Sequence, residues 1–245
     1  MVESETIPVI FETGSVLNVM NDKIEAAVTD VEGDIARVEL KADSITNTVA
    51  NIKVGGRNLI DDSEFITYSD SSNSTWTKKN ASASTSFGYM NQIGIHKINN
   101  PSNNGSSGYL DIAEQSLQYK LKPNTYYTFS FYAKGYDGGS SVNGTSYNYK
   151  GRVTTYVYPN VGSELADNVR TFTLTNQYKR YYYTFKTRTD LEESGSYSCL
   201  FRLRSTVENG TTYYSNAFIC MPKLEEGTMA TAWDTNDADM KSYVT

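Results

Sequence analysis

Six apolar residues recur at intervals of seven near the start of the chain: Leu17, Ile24, Val31, Val38, Ile45 and Ile52. A second column lies four residues after each of the first five and consists of Asn21, Val28, Ile35, Ala42 and Val49. Alternating steps of four and three indicate a coiled coil, with the second column at heptad position a and the first at position d. A lone helix would expose this stripe to water, so the spacing predicts partner helices.

The residue types at these positions bear on the number of helices. β-branched residues at both a and d favour assemblies larger than a dimer, and from Ile24 onward every d position is Val or Ile. We therefore predict a parallel homotrimer, in which Asn21 sets the register. The alternative is an amphipathic helix that packs on the β domain of its own chain. Either helix ends at Gly55-Gly56, because glycine tolerates the backbone angles of a helix stop.

The pattern divides the chain into four segments. Residues 1–14 are predicted to be an N-terminal docking peptide, and residues 15–55 a coiled-coil stalk. Residues 56–236 change from a period of seven to a period of two, which predicts a β domain. Residues 237–245 resemble the start of a C-terminal helix or a tail.

Charge and composition exclude several classes of function. The net charge is −6 and the pI is about 4.9, and no basic patch is visible, so nucleic acid is not an expected partner. No run of eighteen apolar residues occurs, which predicts no membrane insertion. Cys199 and Cys220 are expected to be free thiols, because the chain is expected to be made in a reducing cytoplasm. The one histidine, His96, is predicted to lie in an Asn- and Ser-rich loop and leaves little basis for a zinc site or a catalytic triad.

Alternation of apolar and polar residues predicts the strands of an antiparallel β-sandwich. In Tyr126–Lys134 one parity contains Tyr127, Phe129, Phe131 and Ala133, which are expected to face a core. Similar patterns place Val153, Thr155, Val157, Tyr181, Tyr183, Phe185, Cys199, Phe201 and Leu203 inside. The segment Tyr213–Leu224 closes the series. Stretches 69–75, 99–108 and 137–146 are rich in Ser, Asn and Gly and are predicted to be loops.

Five motifs occur in a fixed order after the heptads. They are "VGGRNLIDDSEF" (residues 54–65), "STWT" (74–77), "YTFSFYAKG" (127–135), "YKRYYYTFKT" (178–187) and "KLEEGTMATAWD" (223–234). Together they resemble the carbohydrate-binding-module-like (CBM-like) jelly rolls in tail-tip and baseplate proteins of phages that infect Gram-positive bacteria. The resemblance covers about residues 54–236. It implies a mainly β fold, namely a trimeric coiled-coil helix followed by an antiparallel jelly-roll sandwich.

The resemblance also implies a function, a location and a set of partners. It implies a non-enzymatic virion component of the tail tip or baseplate that binds host cell-wall polysaccharide and aids adsorption. The implied partners are two further copies of the chain and other tail or baseplate proteins. Two rival interpretations are a structural spacer that binds no sugar and an enzyme that degrades glycans. Longer relatives continue into further modules, so the chain is expected to be either a fragment or a short accessory protein.

Aromatic rings and planar hydrogen-bonding side chains suit saccharides, because rings stack on pyranose faces and the planar groups bind hydroxyls. The residues expected to form such a site are Tyr132, Arg152, Tyr156, Tyr158, Arg202 and Arg204. The alternative is a sheet face on which Tyr and Arg form cross-strand pairs, or a face buried against a sister subunit. Trp76 is expected in the core, and Trp233 is expected to cap the last strand.

No cofactor is required by this interpretation, but jelly rolls of this kind often carry a structural Ca²⁺. Such an ion needs hard oxygen ligands. Asp61, Asp62, Glu64 and Asp234 lie in the segments where such a site would form. The alternative is that these are ordinary turn-forming acids.

Overall fold

The computed structural model describes residues 18–38, 41, 55–68, 75–79, 83–98, 109–142, 145–159, 161–162, 168–236 and 239. The chain divides into two compact units, Met1–Ile52 and Lys53–Thr245. Within the described ranges, no helix combines the length and apolar character needed to cross a membrane. The docking peptide predicted at residues 1–14 lies outside the described residues, as does most of the predicted helix or tail at 237–245.

Residues 18–38 of the first unit form a helix, α1. Its heptad residues are more than half exposed: Ile24 57%, Val28 51%, Val31 57%, Ile35 52% and Val38 65%. The Asn21 side-chain amide donates a hydrogen bond of 3.1 Å to Glu25 of the same helix. The other residues at the predicted a and d positions lie outside the described residues: Leu17, Ala42, Ile45, Val49 and Ile52. The trimer therefore stays a prediction.

The second unit is mainly β, as predicted, and its described part contains twelve strands. These are β1 (Thr77–Lys78), β2 (Ser84–Phe87), β3 (Ile93–Ile98), β4 (Tyr109–Ser116), β5 (Tyr126–Lys134), β6 (Gly138–Val142), β7 (Thr145–Tyr158), β8 (Val169–Thr173), β9 (Lys179–Lys186), β10 (Ser198–Arg204), β11 (Thr206–Glu208) and β12 (Thr211–Glu226). A short 3-10 turn, Tyr89–Asn91, links β2 to β3.

The strands form two layers that share one long strand. Sheet I has the order β1-β4-β10-β7-β8, and sheet II has the order β2-β3-β12-β5-β9. β7 belongs to both, because its later half pairs with β10 while residues 148–151 pair with β12. This second pairing is parallel. The prediction of an antiparallel sandwich is wrong at this point, since β7 runs beside β12 in the same direction before it enters sheet I.

The core lies between the two sheets and is dominated by aromatic rings. Phe201 of sheet I packs against Phe129 and Phe131 of sheet II, with ring centroids 5.6 and 5.2 Å apart. The ring centroid of Trp76 lies 6.1 Å from that of Phe201, and Trp76 is fully buried, as predicted. The predicted inward parity of β5, β7, β9 and β10 is confirmed, because these side chains are buried or pack against the core. Alternation alone was enough to find these faces.

Residues 227–236 run back across the outer face of sheet II, and we call them the C-terminal strap. The strap covers two charged residues of β12, Lys223 and Glu225, which are 2% and 0% exposed. Lys223 Nζ lies 2.6 Å from Asp234 and 3.4 Å from Glu225. Thr231 donates its backbone N–H to Glu225 over 2.8 Å. These two outward-facing residues of β12 therefore belong to a buried polar layer beneath the strap.

Asn58 joins the first motif of the domain to this strap. It is fully buried, and its amide donates hydrogen bonds of 3.0 Å to the carbonyls of Pro222 and Asp234. Its carbonyl oxygen accepts from the backbone N–H groups of Ile60 and Leu224. The "GGRNL" and "KLEEGTMATAWD" motifs thus form one structural clamp that closes the domain.

Two local expectations are corrected by the structure. The predicted loop 137–146 contains β6 and the start of β7, which pair as an antiparallel hairpin. His96 lies within β3, not in a loop, and faces Phe218 of β12 across the sheet. In residues 137–146, pairing with a neighbouring strand outweighs a composition rich in Ser, Asn and Gly, which by itself favours turns. At His96, the Asn- and Ser-rich residues follow the strand, whose own sequence contains three isoleucines, residues that favour strands.

Candidate functional site

Five of the six residues predicted to bind saccharide lie on strands of sheet I, with outward parity. Tyr156, Tyr158 and Arg152 alternate along β7 with the fully buried Val153 and Val157. Arg202 and Arg204 alternate along β10 in the same way with the buried core residues of that strand. We call this surface the Tyr–Arg face; its members are Tyr109, Asp111, Glu114, Arg152, Tyr156, Tyr158, Arg202 and Arg204.

Arg202 is the centre of the Tyr–Arg face. Its guanidinium carbon lies 4.0 Å from the ring centroid of Tyr109 and 4.7 Å from that of Tyr156. Two of its nitrogens also bind the Asp111 carboxylate, one of them at 2.9 Å. Asp111 is directly opposite Arg202 in the register of β4 and β10. The guanidinium is thus held in a fixed plane by two rings and a bidentate ion pair.

Glu114 forms a second polar centre on the same face. It accepts hydrogen bonds from Tyr158 at 2.6 Å and Ser198 at 2.7 Å, and its other oxygen lies 2.5 Å from Lys79 Nζ. Burial raises the pKa of the Glu114 carboxyl, but the bonds from Lys79, Tyr158 and Ser198 outweigh burial and leave the pKa below its ordinary value. The bond to Glu114 also raises the pKa of Tyr158. Glu114 is therefore an ionised acceptor at neutral pH.

Arg204 and Arg152 extend the face toward one end of the sheet. An Arg204 nitrogen lies 3.4 Å from the Tyr156 hydroxyl, at the outer limit of a hydrogen bond. Arg152 is near Glu208, and its charge contributes to the lowered pKa of that carboxyl, after the larger effect of Lys150. These two arginines add positive charge beside the Tyr109–Arg202–Tyr156 stack.

Tyr132 does not belong to this face. It lies on β5 of sheet II, where its ring stacks on Tyr89 with centroids 4.6 Å apart. The sequence shows that Tyr132 points outward on its strand, but not which of the two sheets contains that strand. The six predicted residues are therefore divided between opposite faces of the sandwich.

Three further members of the face were not predicted from the sequence, and all of them lie on β4: Tyr109, Asp111 and Glu114. The segment "YLDI" (residues 109–112) alternates polar and apolar residues, and this signal could have revealed the strand. A register shift opposite Phe201 and Arg202 then interrupts the alternation, since Ile112 and Ala113 are both buried. This bulge brings Glu114 onto the outward face.

The four acids proposed for calcium are not brought together. Asp61 lies 2.5 Å from Lys120 Nζ, and Asp234 pairs with Lys223. The Asp62 carboxylate accepts the backbone N–H groups of Ile66 and Thr67 and so caps its own turn. Across the described residues, no group of three or more His, Cys, Asp or Glu side chains could hold a metal ion. The predicted set does not fit a Ca²⁺ site, because Asp61, Asp62 and Asp234 already hold lysines or backbone donors.

The cysteines and the second tryptophan have structural positions. Cys199 and Cys220 are both buried and free, as predicted. Burial is the largest cause that raises the pKa of each thiol, to about 12 and about 11 respectively, so neither is a nucleophile at neutral pH. Trp233 lies in the C-terminal strap and not on a strand.

No family model and no curated protein matches this chain. Solved structures with a similar course of the chain include a CBM4 structure (14% identity, TM-score 0.35, 59% of this chain and 77% of that one). They also include TmCBM61 in complex with β-1,4-galactotriose (12%, TM-score 0.40, 69% and 98%). A third is the enzymatically active domain of bacteriophage CBA120 tailspike protein 4 (13%, TM-score 0.42, 69% of this chain but 21% of that one). With TM-scores below 0.5, none of these likenesses bears on function.

Proposed function

We propose that this protein is a non-enzymatic saccharide-binding protein and that the Tyr–Arg face of sheet I contains its binding site. The observation that carries the proposal is the Tyr109–Arg202–Tyr156 stack, in which a guanidinium is held between two rings on an outward sheet face. Aromatic rings offer rigid apolar area for the C–H faces of a sugar. Fixed planar donors and acceptors nearby suit its hydroxyl groups.

The pre-ordering of the face supports the proposal. Asp111 and Glu114 hold Arg202 and Tyr158 in position before any ligand arrives. Side chains already fixed in this way lose little conformational entropy on binding, which favours affinity for a weakly interacting ligand such as a neutral sugar. In this proposal the ligand is a polysaccharide of the host cell wall, and the protein is part of a phage tail tip or baseplate, as the five ordered sequence motifs suggest.

We further propose that the chain is a parallel homotrimer held by α1. The proposal rests on the heptad spacing and on the exposure of Ile24, Val28, Val31, Ile35 and Val38 along the helix. Three copies would present three saccharide sites, and avidity would then compensate for weak individual contacts. In the full chain, Val31→Lys should lower the solution mass measured by light scattering from trimer to monomer. An unchanged mass, or a monomeric wild type, would contradict the trimer.

The saccharide proposal is tested on a glycan array that includes Gram-positive cell-wall polysaccharides. We expect Tyr156→Ala and Tyr109→Ala to abolish the wild-type signal, because each removes one ring of the stack. Tyr182→Ala is the matched control, because Tyr182 is a 58% exposed tyrosine on β9 of the opposite sheet. Loss of signal in the control alone, or no wild-type binding to any glycan, would overturn the assignment.

A structural spacer is the second candidate, and one observation favours it. Three charged members of the Tyr–Arg face are already paired, since Arg202 binds Asp111 and Glu114 binds Lys79. Such pairs stabilise a sheet without any ligand. If the spacer interpretation holds, Tyr156→Ala lowers the free energy of unfolding but changes no glycan interaction.

A further inference from the structure

A cavity of about 190 Å³ lies on sheet II, away from the Tyr–Arg face. Three of its lining residues lie side by side on adjacent strands, because Phe218 of β12 is in register with His96 of β3 and with Lys134 of β5. The cavity is lined by His96, Lys134, Gly135, Tyr136, Asn176, Asn216, Ala217 and Phe218. The row His96–Phe218–Lys134 alternates with buried core residues, so it lies on the outer face of the sheet.

The aromatic part of the cavity wall is fixed in place. The Phe218 ring stacks on the His96 ring with centroids 5.6 Å apart and meets Tyr178 edge-on at 5.7 Å. A Cβ atom added at Gly94 would lie 2.6 Å from both Phe218 Cε1 and the Ile219 carbonyl oxygen. The absence of a side chain at Gly94 is therefore what allows the Phe218 ring to lie flat against the sheet.

The polar wall is fixed as well. Asn216 is buried, and its amide both donates to and accepts from the backbone of Tyr136, at 2.7 and 2.8 Å. This pair of bonds holds the turn that follows β5. Asn176 lies at the rim with an exposed side chain and can offer its amide to a ligand. The cavity is therefore pre-formed and has polar groups on one side.

The charge of the cavity is positive and unbalanced. None of its lining residues is an acid, and Lys134 adds a positive charge. Lys134 Nζ lies 4.7 Å from the Tyr178 ring centroid and 5.9 Å from that of Phe218. Among the residues described by the structure it forms no ion pair. By contrast, Lys79, Lys120, Lys122, Lys150 and Lys223 each pair with a carboxylate.

We propose that this cavity binds the oxyanion, carboxylate or phosphate, of an acidic saccharide unit. Lys134 supplies the opposing charge, and His96 supplies a ring N–H. Phe218 offers an apolar surface to the C–H groups of the sugar, and Asn176 binds a hydroxyl. Cation–π contacts leave the hydrogen-bond donors of an ammonium group available to an anion. This site is separate from the Tyr–Arg face and does not depend on saccharide binding there.

The test uses the His96 ring as a reporter, because it is the one histidine in the chain. The ¹⁵N ring resonances of the 245-residue chain are followed by NMR during titration with D-glucuronate, glucose 6-phosphate, D-glucose or inorganic phosphate. We expect saturable shifts with one or both sugar acids and none with glucose at equal concentration. A bound anion should also raise the pKa of His96, because a nearby negative charge favours the protonated ring. The sugar acid that binds more tightly shows whether the cavity prefers a carboxylate or a phosphate.

Variants assign the effect to the cavity. Lys134→Gln should lower the binding affinity for the sugar acids at least tenfold, whereas Lys134→Arg should retain most of the affinity because it keeps the charge. Lys186→Gln, which removes a lysine that lies 5.2 Å from the Tyr126 ring centroid at the other end of β5, should leave the titration unchanged.

Three results would overturn the proposal. The first is an equal response to glucose and glucuronate, and the second is unaltered binding by a folded Lys134→Gln protein. The third is inorganic phosphate binding as tightly as either sugar acid, which would indicate an anion hole with no role for the sugar ring. The wild-type titrations decide the matter even if the glutamine variant does not fold.

Discussion

Lys223→Met should destabilise the domain far more than the loss of an ordinary surface lysine. Lys223 is 2% exposed, and its ammonium donates hydrogen bonds of 2.9 Å to Thr231 Oγ1 and to the Ala232 carbonyl. It also lies 3.4 Å from the carboxylate of Glu225, which is fully buried. Methionine fills similar volume but leaves the Glu225 charge beneath the C-terminal strap without its cation.

The expected magnitude follows from the burial of both partners. Removal of one member of a buried ion pair costs about 3–5 kcal/mol, because the remaining charge stays desolvated. This is a large part of the roughly 5–15 kcal/mol that separates folded from unfolded domains. With a urea m-value near 3 kcal/mol/M, the upper end for small proteins, the unfolding midpoint should fall by about 1 M or more.

The matched control is Lys122→Met, which breaks the ion pair between Lys122 and Glu226 at the end of the same strand. That pair has a similar length, 2.9 Å, but its side chains are 63% and 40% exposed. Exposed pairs contribute about 1 kcal/mol or less, so the midpoint should hardly move. The double variant Lys223→Met/Glu225→Gln should recover part of the loss, since the amide oxygen still accepts the Thr231 N–H. Equal effects of the two lysine variants, or strict additivity in the double variant, would refute the argument.

Two further changes test the clamp and the His96 row. Asn58→Ala should cost about 3 kcal/mol, because buried groups left unpaired cost about 1–3 kcal/mol each; Asn58→Asp, which loses both donors, should not rescue the urea midpoint. Burial, with smaller effects from Lys134 and Lys97, lowers the pKa of His96 below 6.5. The unfolded chain therefore binds more protons as the pH falls below about 6.5, and stability is lost in that window. His96→Gln should reduce the difference between urea midpoints at pH 7.5 and pH 5, and an identical difference in both proteins would contradict the assignment.

The inward faces of the main strands were predictable because a period of two is local. Each of Tyr127, Phe129, Phe131 and Ala133 is fully buried, as the alternation indicated. The two register shifts were not predictable in the same way. Ile112–Ala113 in β4 and the segment between Cys220 and Lys223 in β12 each break the alternation, and a bulge depends on the partner strand as much as on its own residues.

The candidate site shows the same division. The outward parity of Tyr156, Tyr158, Arg202 and Arg204 could be predicted from β7 and β10 alone. Their partners Asp111 and Glu114 come from β4, about ninety residues earlier than Arg202 in the chain. Tyr132 also has outward parity, yet it lies on the other sheet. Parity states whether a side chain points in or out, but the strand order decides which outward residues become neighbours.

Local periodicity is enough to establish the heptad spacing, the mainly β character of residues 56–236 and the inner face of each principal strand. These follow from periodicity, which each segment expresses without knowledge of the others. Three features arise only in the folded domain: Lys223 and Glu225 are buried, Asn58 ties the start of the domain to its strap, and the side chains at 96, 218 and 134 form one row. Each of these is a contact between distant segments, set by pairing and layer packing. Such contacts leave no periodic trace in the chain.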